Sequence, residues 1–466
     1  MEKSSKAAAT RSWFGQVEPM PGCSKCRPSI TGEGVGTMNH AQIDEWLLNG
    51  LRASPGPAGG GGMTPLSEAD WEELVQQSDR HRITPYLYHH LRTVHPDLPT
   101  PPDIVGKLRQ GHLDNAARNL RLYGHLGKIL QLLRDNGVPA IALKGAYLAE
   151  QVYAHRALRY LGDLDLLVRK DDLEKVDALL LGMGCRPTIP NRIVGPDNNE
   201  FVYEMPRRDL CVEIHWRILP PQFPFPIDTE GQWNRARPAV LAGVETLVFC
   251  PEDLLLHLCL HAGCTHGFEP GLRLFCDIRE ILRHHEADMD WGLVRRLIQE
   301  WGIGKSVYLT LKLAQELVGA RVPGGFLEEL RPGDFDERYV ALAKDQVFAR
   351  KVRTGQPLSM WPAVAQFWGA TRLRDKVKLF WKGLFLPRES MARLYPVPAD
   401  SWKMNFYYAV RLRDLLRTYG RDAWRWLRRD KDMQAVAQEG RDLTALKDWL
   451  MSSGPAAGSG EGVRAG

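Results

Sequence analysis

Two aspartates one residue apart, Asp163 and Asp165, open an otherwise apolar run of Leu164, Leu166, Leu167 and Val168. Such a run reads as a short, largely buried strand. Side chains two apart on a strand point to the same face, so the two carboxylates project together. A buried pair of like charges is costly unless a cation sits between them. Hard divalent cations, Mg²⁺ foremost, bind through one or two carboxylates plus substrate phosphates. A bare pair of acids also suits a solvated turn, so the neighbouring residues matter. Upstream, residues 138–143 are strand-like, and Lys144-Gly145 closes them where a helix from Ala146 to about His155 is expected. Glycine at that joint lets backbone approach a ligand closely, and a helix N-terminus favours phosphate. Downstream, residues 210–216 alternate with the period of a strand, which puts Glu213 and His215 on one face. Glu204, on the strand before it, is a second candidate for a third acid.

To position these groups the chain needs a strand, a helix, the Asp163–Asp165 strand, a helix over 171–181, and a hairpin of 199–205 with 210–217. The sequence predicts five regions, this core among them. Residues 1–37 are polar, rich in Gly, Ser and Pro, and expected to be disordered. They hold Cys23 and Cys26, a lone C-x-x-C with no second ligand pair to complete a zinc site. Residues 38–136 form a helical N-terminal region interrupted by a Gly-rich linker at 54–63. The core spans 137–250, a helical domain 251–450, and a disordered tail 451–466. His257 and His261 lie four apart on one predicted helix face, with His266 beyond. Leu258 stands where a metalloprotease motif needs Glu, so core or pocket histidines are the stronger reading. Arg273 and Asp277 are spaced for an intrahelical pair.

The 466 residues are 44% hydrophobic, enough for a large core, and carry a net charge of +5, too little for a chain that is globally a phosphate binder. No run reaches the length of a membrane span, and the N-terminus lacks a secretory pattern. Of eight cysteines, Cys185, Cys211, Cys250, Cys259 and Cys276 lie in apolar stretches, as reduced thiols do, which suits a cytoplasmic protein. Between Lys403 and Lys431 nine Lys or Arg stand against three Asp, interleaved with Trp402, Tyr407, Tyr408, Trp424 and Trp426. The pattern fits amphipathic helices with a solvated basic face, and leaves nucleic acid open as a partner.

The segments Leu143-Lys144-Gly145, Gly162-Asp163-Leu164-Asp165-Leu166-Leu167-Val168 and Val212-Glu213-Ile214-His215-Trp216 together resemble the polymerase-beta-like nucleotidyltransferase superfamily. With Arg159, Gly184, Leu258-Cys259-Leu260-His261-Ala262 and Asp277-Ile278, the chain is most similar to the branch called the uncharacterised nucleotidyltransferase family, over roughly residues 70 to 430. The resemblance implies an α+β fold: a small mixed-sheet nucleotidyltransferase core flanked by N-terminal helices and a larger C-terminal helical domain. It implies transfer of a nucleoside monophosphate from an NTP, with Mg²⁺ or Mn²⁺, to a hydroxyl or phosphate on a small molecule, protein or RNA. Asp163, Asp165 and Glu213 would be the catalytic, metal-binding acids. Lys144, Gly145 and Arg159 would serve the nucleotide, Arg159 by neutralising phosphate or bracing the acids, with a surface ion pair as its plain alternative. His215, His261 and Asp277 would support the site or line an acceptor pocket. The wider superfamily carries Gly-Ser or Gly-Gly where this chain has Lys144-Gly145-Ala146, so Lys144 would meet phosphate as a point charge. Two other readings follow from the same residues: a nucleotide-binding scaffold without turnover, and a tRNA-modifying toxin of a toxin–antitoxin pair.

Overall fold

A computed structural model describes residues 38–52, 66–188, 198–207, 210–269, 271–348, scattered positions between 374 and 400, 401–427 and 431–452. Cys23, Cys26, the Gly-rich linker and the chain end past 452 lie outside the described residues.

Helices come first. α1 (His40–Leu51) and α2 (Glu68–Arg80) each start with a capping box, Asn39 with Gln42 and Ser67 with Asp70. α3 (Thr84–Thr93) leads to the 34-residue α4 (Pro102–Asp135), and both carry proline in the first turn, where its missing N–H costs nothing. Next come β1 (Ala140–Ala142), α5 (Lys144–Tyr147), β2 (Leu164–Val168), α6 (Leu173–Gly182), β3 (Arg186–Pro187), β4 (Glu200–Glu204) and β5 (Cys211–His215). The helix expected from Ala146 starts two residues earlier, at Lys144, and after Tyr147 widens into a π-helical turn, Leu148–Val152.

After α7 (Thr229–Arg235) a second hairpin forms, β6 (Arg237–Leu241) and β7 (Val244–Val248). Its two-residue turn, Ala242-Gly243, has positive φ at both positions, 50° and 77°, as a type I′ turn requires. The helical end of this unit comprises α8 (Pro251–Leu260), which closes in a π-helical turn His261–Thr265, then α9 (Leu272–His284), α10 (Trp291–Trp301), α11 (Gly304–Val318), α12 (Phe326–Leu330) and α13 (Arg338–Val347). α14 (Met404–Leu427) and α15 (Lys431–Met451) complete the described chain.

All seven strands join one sheet in the order β3-β4-β5-β2-β1-β7-β6. β2 runs parallel to β5 and antiparallel to β1, and β1 runs parallel to β7, so the sheet is mixed. The architecture is α+β.

One face of the sheet is apolar and the other holds the acids. Leu164, Leu166, Val168, Val212, Ile214 and Tyr203 point to the first face and pack with Leu126, Ile129 and Leu130 of α4 and Val176 and Leu180 of α6. Each fully buried leucine there contributes roughly 2 kcal/mol. The strand period then sends Asp163, Asp165, Glu213, His215 and Glu200 to the opposite face. α9 packs against α8 and α11.

The described residues fall into two compact units: 38–348 with 447–452, and those between 374 and 446. The second has its own small core of Met391, Val397 and Met404, with Tyr395, Tyr407 and Tyr408 against it. Of its interleaved aromatics Tyr407 and Tyr408 pack inward as expected, whereas Trp402 is 77% exposed. The side chains of Trp424 and Trp426 lie outside the described residues.

Candidate active site on the acidic face of the sheet

Parallel register sets Asp165 beside Glu213 on neighbouring strands. Antiparallel register sets Glu200 of β4 beside His215. Asp165, Glu213 and His215 each present one ligand atom within 4.8 Å of the others. Asp163 stands at the open lip of this group and is not among the three; its side chain reaches solvent while Asp165 is buried.

Lys144 enters from the end of β1. Its Nζ lies 3.2 Å from Oδ1 of Asp165, and the residue is only 9% exposed. Lys144 has φ of 41°, in the left-handed region where a side chain costs about 1 kcal/mol. The sharp turn from β1 into α5 holds that lysine pointing at the acids.

His215 is clamped. Nε2 sits 3.1 Å from Asp165 Oδ1 and 3.5 Å from Glu213 Oε2, and Nδ1 sits 3.1 Å from Glu200 Oε2. Burial opposes its charge, but hydrogen bonds to Asp165 and Glu213 outweigh burial and lift the imidazole to about 9. It is therefore an imidazolium at neutral pH, a donor at both nitrogens.

Burial likewise works against the charged forms of Asp165 and Lys144. For Asp165 it is overcome by Lys144 and His215, which hold the carboxyl well below its usual range. For Lys144 it is overcome by Asp165, Glu213 and Asp163, which keep the ammonium protonated. Glu213 goes the other way: burial and the Asp165 charge push it to about 7 despite the His215 hydrogen bond. Asp163 is raised by desolvation and by Asp165.

The group thus carries more negative charge than Lys144 and His215 neutralise, and Glu213 binds its proton more tightly than a free glutamate does. A divalent cation is the natural replacement for that proton, and the carboxylate oxygens of Asp165 and Glu213 suit Mg²⁺ or Mn²⁺. The donor set fits. His215, with both nitrogens taken up by carboxylates, fits the part of brace better than that of ligand.

Arg159 is buried, and its Nε and Nη2 each donate to Asp277 at 2.8 Å. Tyr153 Oη donates to the same carboxylate at 2.8 Å. Asp277 is fully buried, and both its oxygens face Arg159 rather than Arg273 one helical turn away. A β-carbon on Gly145 would lie 2.5 Å from Arg159 Nη1 and 2.9 Å from Leu161 Cδ2, so the space left by this glycine is filled by Arg159.

His257 and His261 have ring centroids 6.1 Å apart, and His261 and His266 4.3 Å. All three are pushed down, first by burial and then by the nearby Lys144 charge, so they are neutral and border the acidic face. They do not gather as a metal cluster among the described residues. Glu204 pairs with Cys211 at the far end of the hairpin from His215.

Sequence reasoning missed Glu200, Tyr153 and the Arg159–Asp277 bond. Glu200 shares the alternation of Glu204 and could have been found from hairpin register. The Arg159–Asp277 bond crosses 118 residues and leaves no local signal.

A mixed sheet with paired acids on adjacent strands, reached by a lysine from a strand-to-helix turn, defines a nucleotidyltransferase-type core. A family model described as uncharacterised nucleotidyltransferase matches residues 67–319, more than half of the chain, and the chain belongs to that family. No curated protein and no solved structure matches it. Among the described residues no helix is long and apolar enough to cross a membrane.

Proposed function

We propose that the chain transfers a nucleoside monophosphate from an NTP to a hydroxyl or phosphate acceptor, using a divalent cation bound by Asp165 and Glu213 with Asp163 beside them. The observation that carries this reading is the register that sets Asp165 and Glu213 side by side with His215 on one sheet face. When bound, Mg²⁺ or Mn²⁺ would neutralise phosphate charge and make an acceptor hydroxyl easier to deprotonate.

The chain's own groups do the rest. His215, charged, holds Asp165, Glu213 and Glu200 in place. Lys144 supplies a cation for the triphosphate at the start of α5. Glu213 takes the acceptor's proton as the acceptor oxygen bonds to the α-phosphorus; the anhydride bond to the β-phosphate breaks and pyrophosphate leaves with its electron pair. Arg159 and Asp277 brace the Gly145 turn from behind. The acceptor is a small molecule, a protein side chain or an RNA end, and a reduced cytoplasm suits the buried free thiols of Cys185, Cys250, Cys259, Cys264 and Cys276.

One observation favours a second reading. Lys144 Nζ already sits on Asp165, where it supplies positive charge without a metal, as a nucleotide-binding scaffold without turnover would need. Metal dependence separates the two. In equilibrium titrations of each NTP with and without Mg²⁺ or Mn²⁺, the enzyme shows binding that strengthens with metal and loses that gain in Asp165→Asn. Binding indifferent to metal in both proteins supports the scaffold.

A further inference from the structure

The π-helical turn that ends α8 gathers three histidines in a row. Residues five apart on a regular α-helix face different sides. Here the His266 N–H closes on the His261 carbonyl at 3.2 Å, and the two rings meet edge to face with centroids 4.3 Å apart. His257 continues the row, its ring centroid 6.1 Å from that of His261. Single π-turns inside helices recur at functional sites.

All three rings sense the acidic face. After burial, the Lys144 charge is the largest influence lowering each of them, and Asp165 acts on each in the opposite sense. His215 also acts on His257, and Glu269 and Arg273 act on His266. His257 Nδ1 is buried with no hydrogen-bond partner, while His261 and His266 are half-buried. Among the described residues the ring contacts of His261 are His257 and His266, and no carboxylate takes its nitrogens as three do at His215. An uncharged imidazole offers one N–H donor and one acceptor nitrogen, the same pair of roles that a hydroxyl has. A phosphate oxygen accepts only, and Lys144 is already there to meet it.

We propose that His261 and His266, backed by His257, form a subsite bordering the acidic face that takes hydroxyl groups of a substrate, those of the NTP ribose or those of the acceptor. Only the identity of the molecule that carries the hydroxyls rests on the nucleotidyl-transfer reading.

The test has two arms: calorimetric titration with each NTP and its dideoxy counterpart in the presence of Mg²⁺, and transfer of α-label from NTP to a cell extract. His261→Phe keeps a ring and removes both nitrogens; His261→Asn keeps a donor and an acceptor. If the ribose is held here, His261→Phe weakens NTP binding about tenfold and leaves the dideoxy form unchanged. If the acceptor is held here, both affinities stay and transfer falls about tenfold. His261→Asn loses less in either arm, and His266→Phe gives the same loss should His261→Phe unfold. Equal weakening of NTP and dideoxy NTP overturns the proposal, because the ring would then meet base or phosphate. So does a folded His261→Phe that matches wild type in both arms, or a wild type that neither binds NTP nor transfers label. A wild type that transfers label while His261→Phe matches it sinks the subsite alone. Ribose-dependent loss in a chain that transfers nothing keeps the subsite and removes the enzymatic reading.

Discussion

Gly145 has no room for a β-carbon, because Arg159 crosses it on the way to Asp277. Gly145→Ala therefore pushes the guanidinium away from a carboxylate with no exposure to water. Burial disfavours the charged form of Arg159, yet Asp277 more than compensates and keeps it protonated. Breaking such a pair leaves two buried charges short of a partner, which costs about 3 kcal/mol or more. Urea denaturation of Gly145→Ala against wild type measures this, and a loss under about 1 kcal/mol would show that Arg159 has another place to go. Sequence pattern alone put Asp165 and Glu213 on strands and Lys144 at a strand-to-helix joint, where the fold has them, because strand alternation and such joints are local features. It left Arg159 open between phosphate contact, brace and surface pair. Only the fold shows that its guanidinium is committed to Asp277.

At the scale of elements, β2 and β5 were legible because an apolar face alternating with acids has a period of two. α11 stops at Gly319, which takes the left-handed conformation that favours glycine. The β6–β7 hairpin was not legible. Arg237 and Pro238 open it without apolar alternation, and Ala242-Gly243 lacks the asparagine or aspartate that usually announces a type I′ turn. The π-helical turns after Tyr147 and Leu260 were equally hidden, since one extra residue in a turn leaves the apolar spacing nearly intact. Ala242 holds a positive φ that suits glycine. Ala242→Gly is expected to stabilise the chain by roughly 0.5–1 kcal/mol, and a lower urea midpoint would mean that the alanine methyl packs for more than the turn costs.

Over the whole molecule, acid should loosen the fold through its buried histidines. His81, His90 and His257 are at most 5% exposed. Burial first, then Arg80 for His81 and Arg279 for His90, depresses them from 6.5 to about 4 and about 3; burial and then Lys144 hold His257 well below 6.5. Unfolded, these groups take up protons near pH 6.5, whereas folded they do not. Their contribution is present above 6.5 and lost as pH falls towards 4, on the order of 3 kcal/mol each for His81 and His90. Urea midpoints should fall between pH 7.5 and pH 5, and His90→Gln should narrow that fall; an unchanged pH slope in the variant would contradict the assignment. The central claim concerns what the acidic face does to an NTP. The most direct measurement pairs α-³²P- and γ-³²P-labelled NTPs with the purified chain, Mg²⁺ or Mn²⁺ and a cell extract as acceptor, beside Asp163→Ala/Asp165→Ala. Nucleotidyl transfer places α-label, and no γ-label, on an RNA, protein or metabolite with the wild type alone. Label from the γ position on the acceptor, or α-label transferred equally well by the double variant, would contradict it.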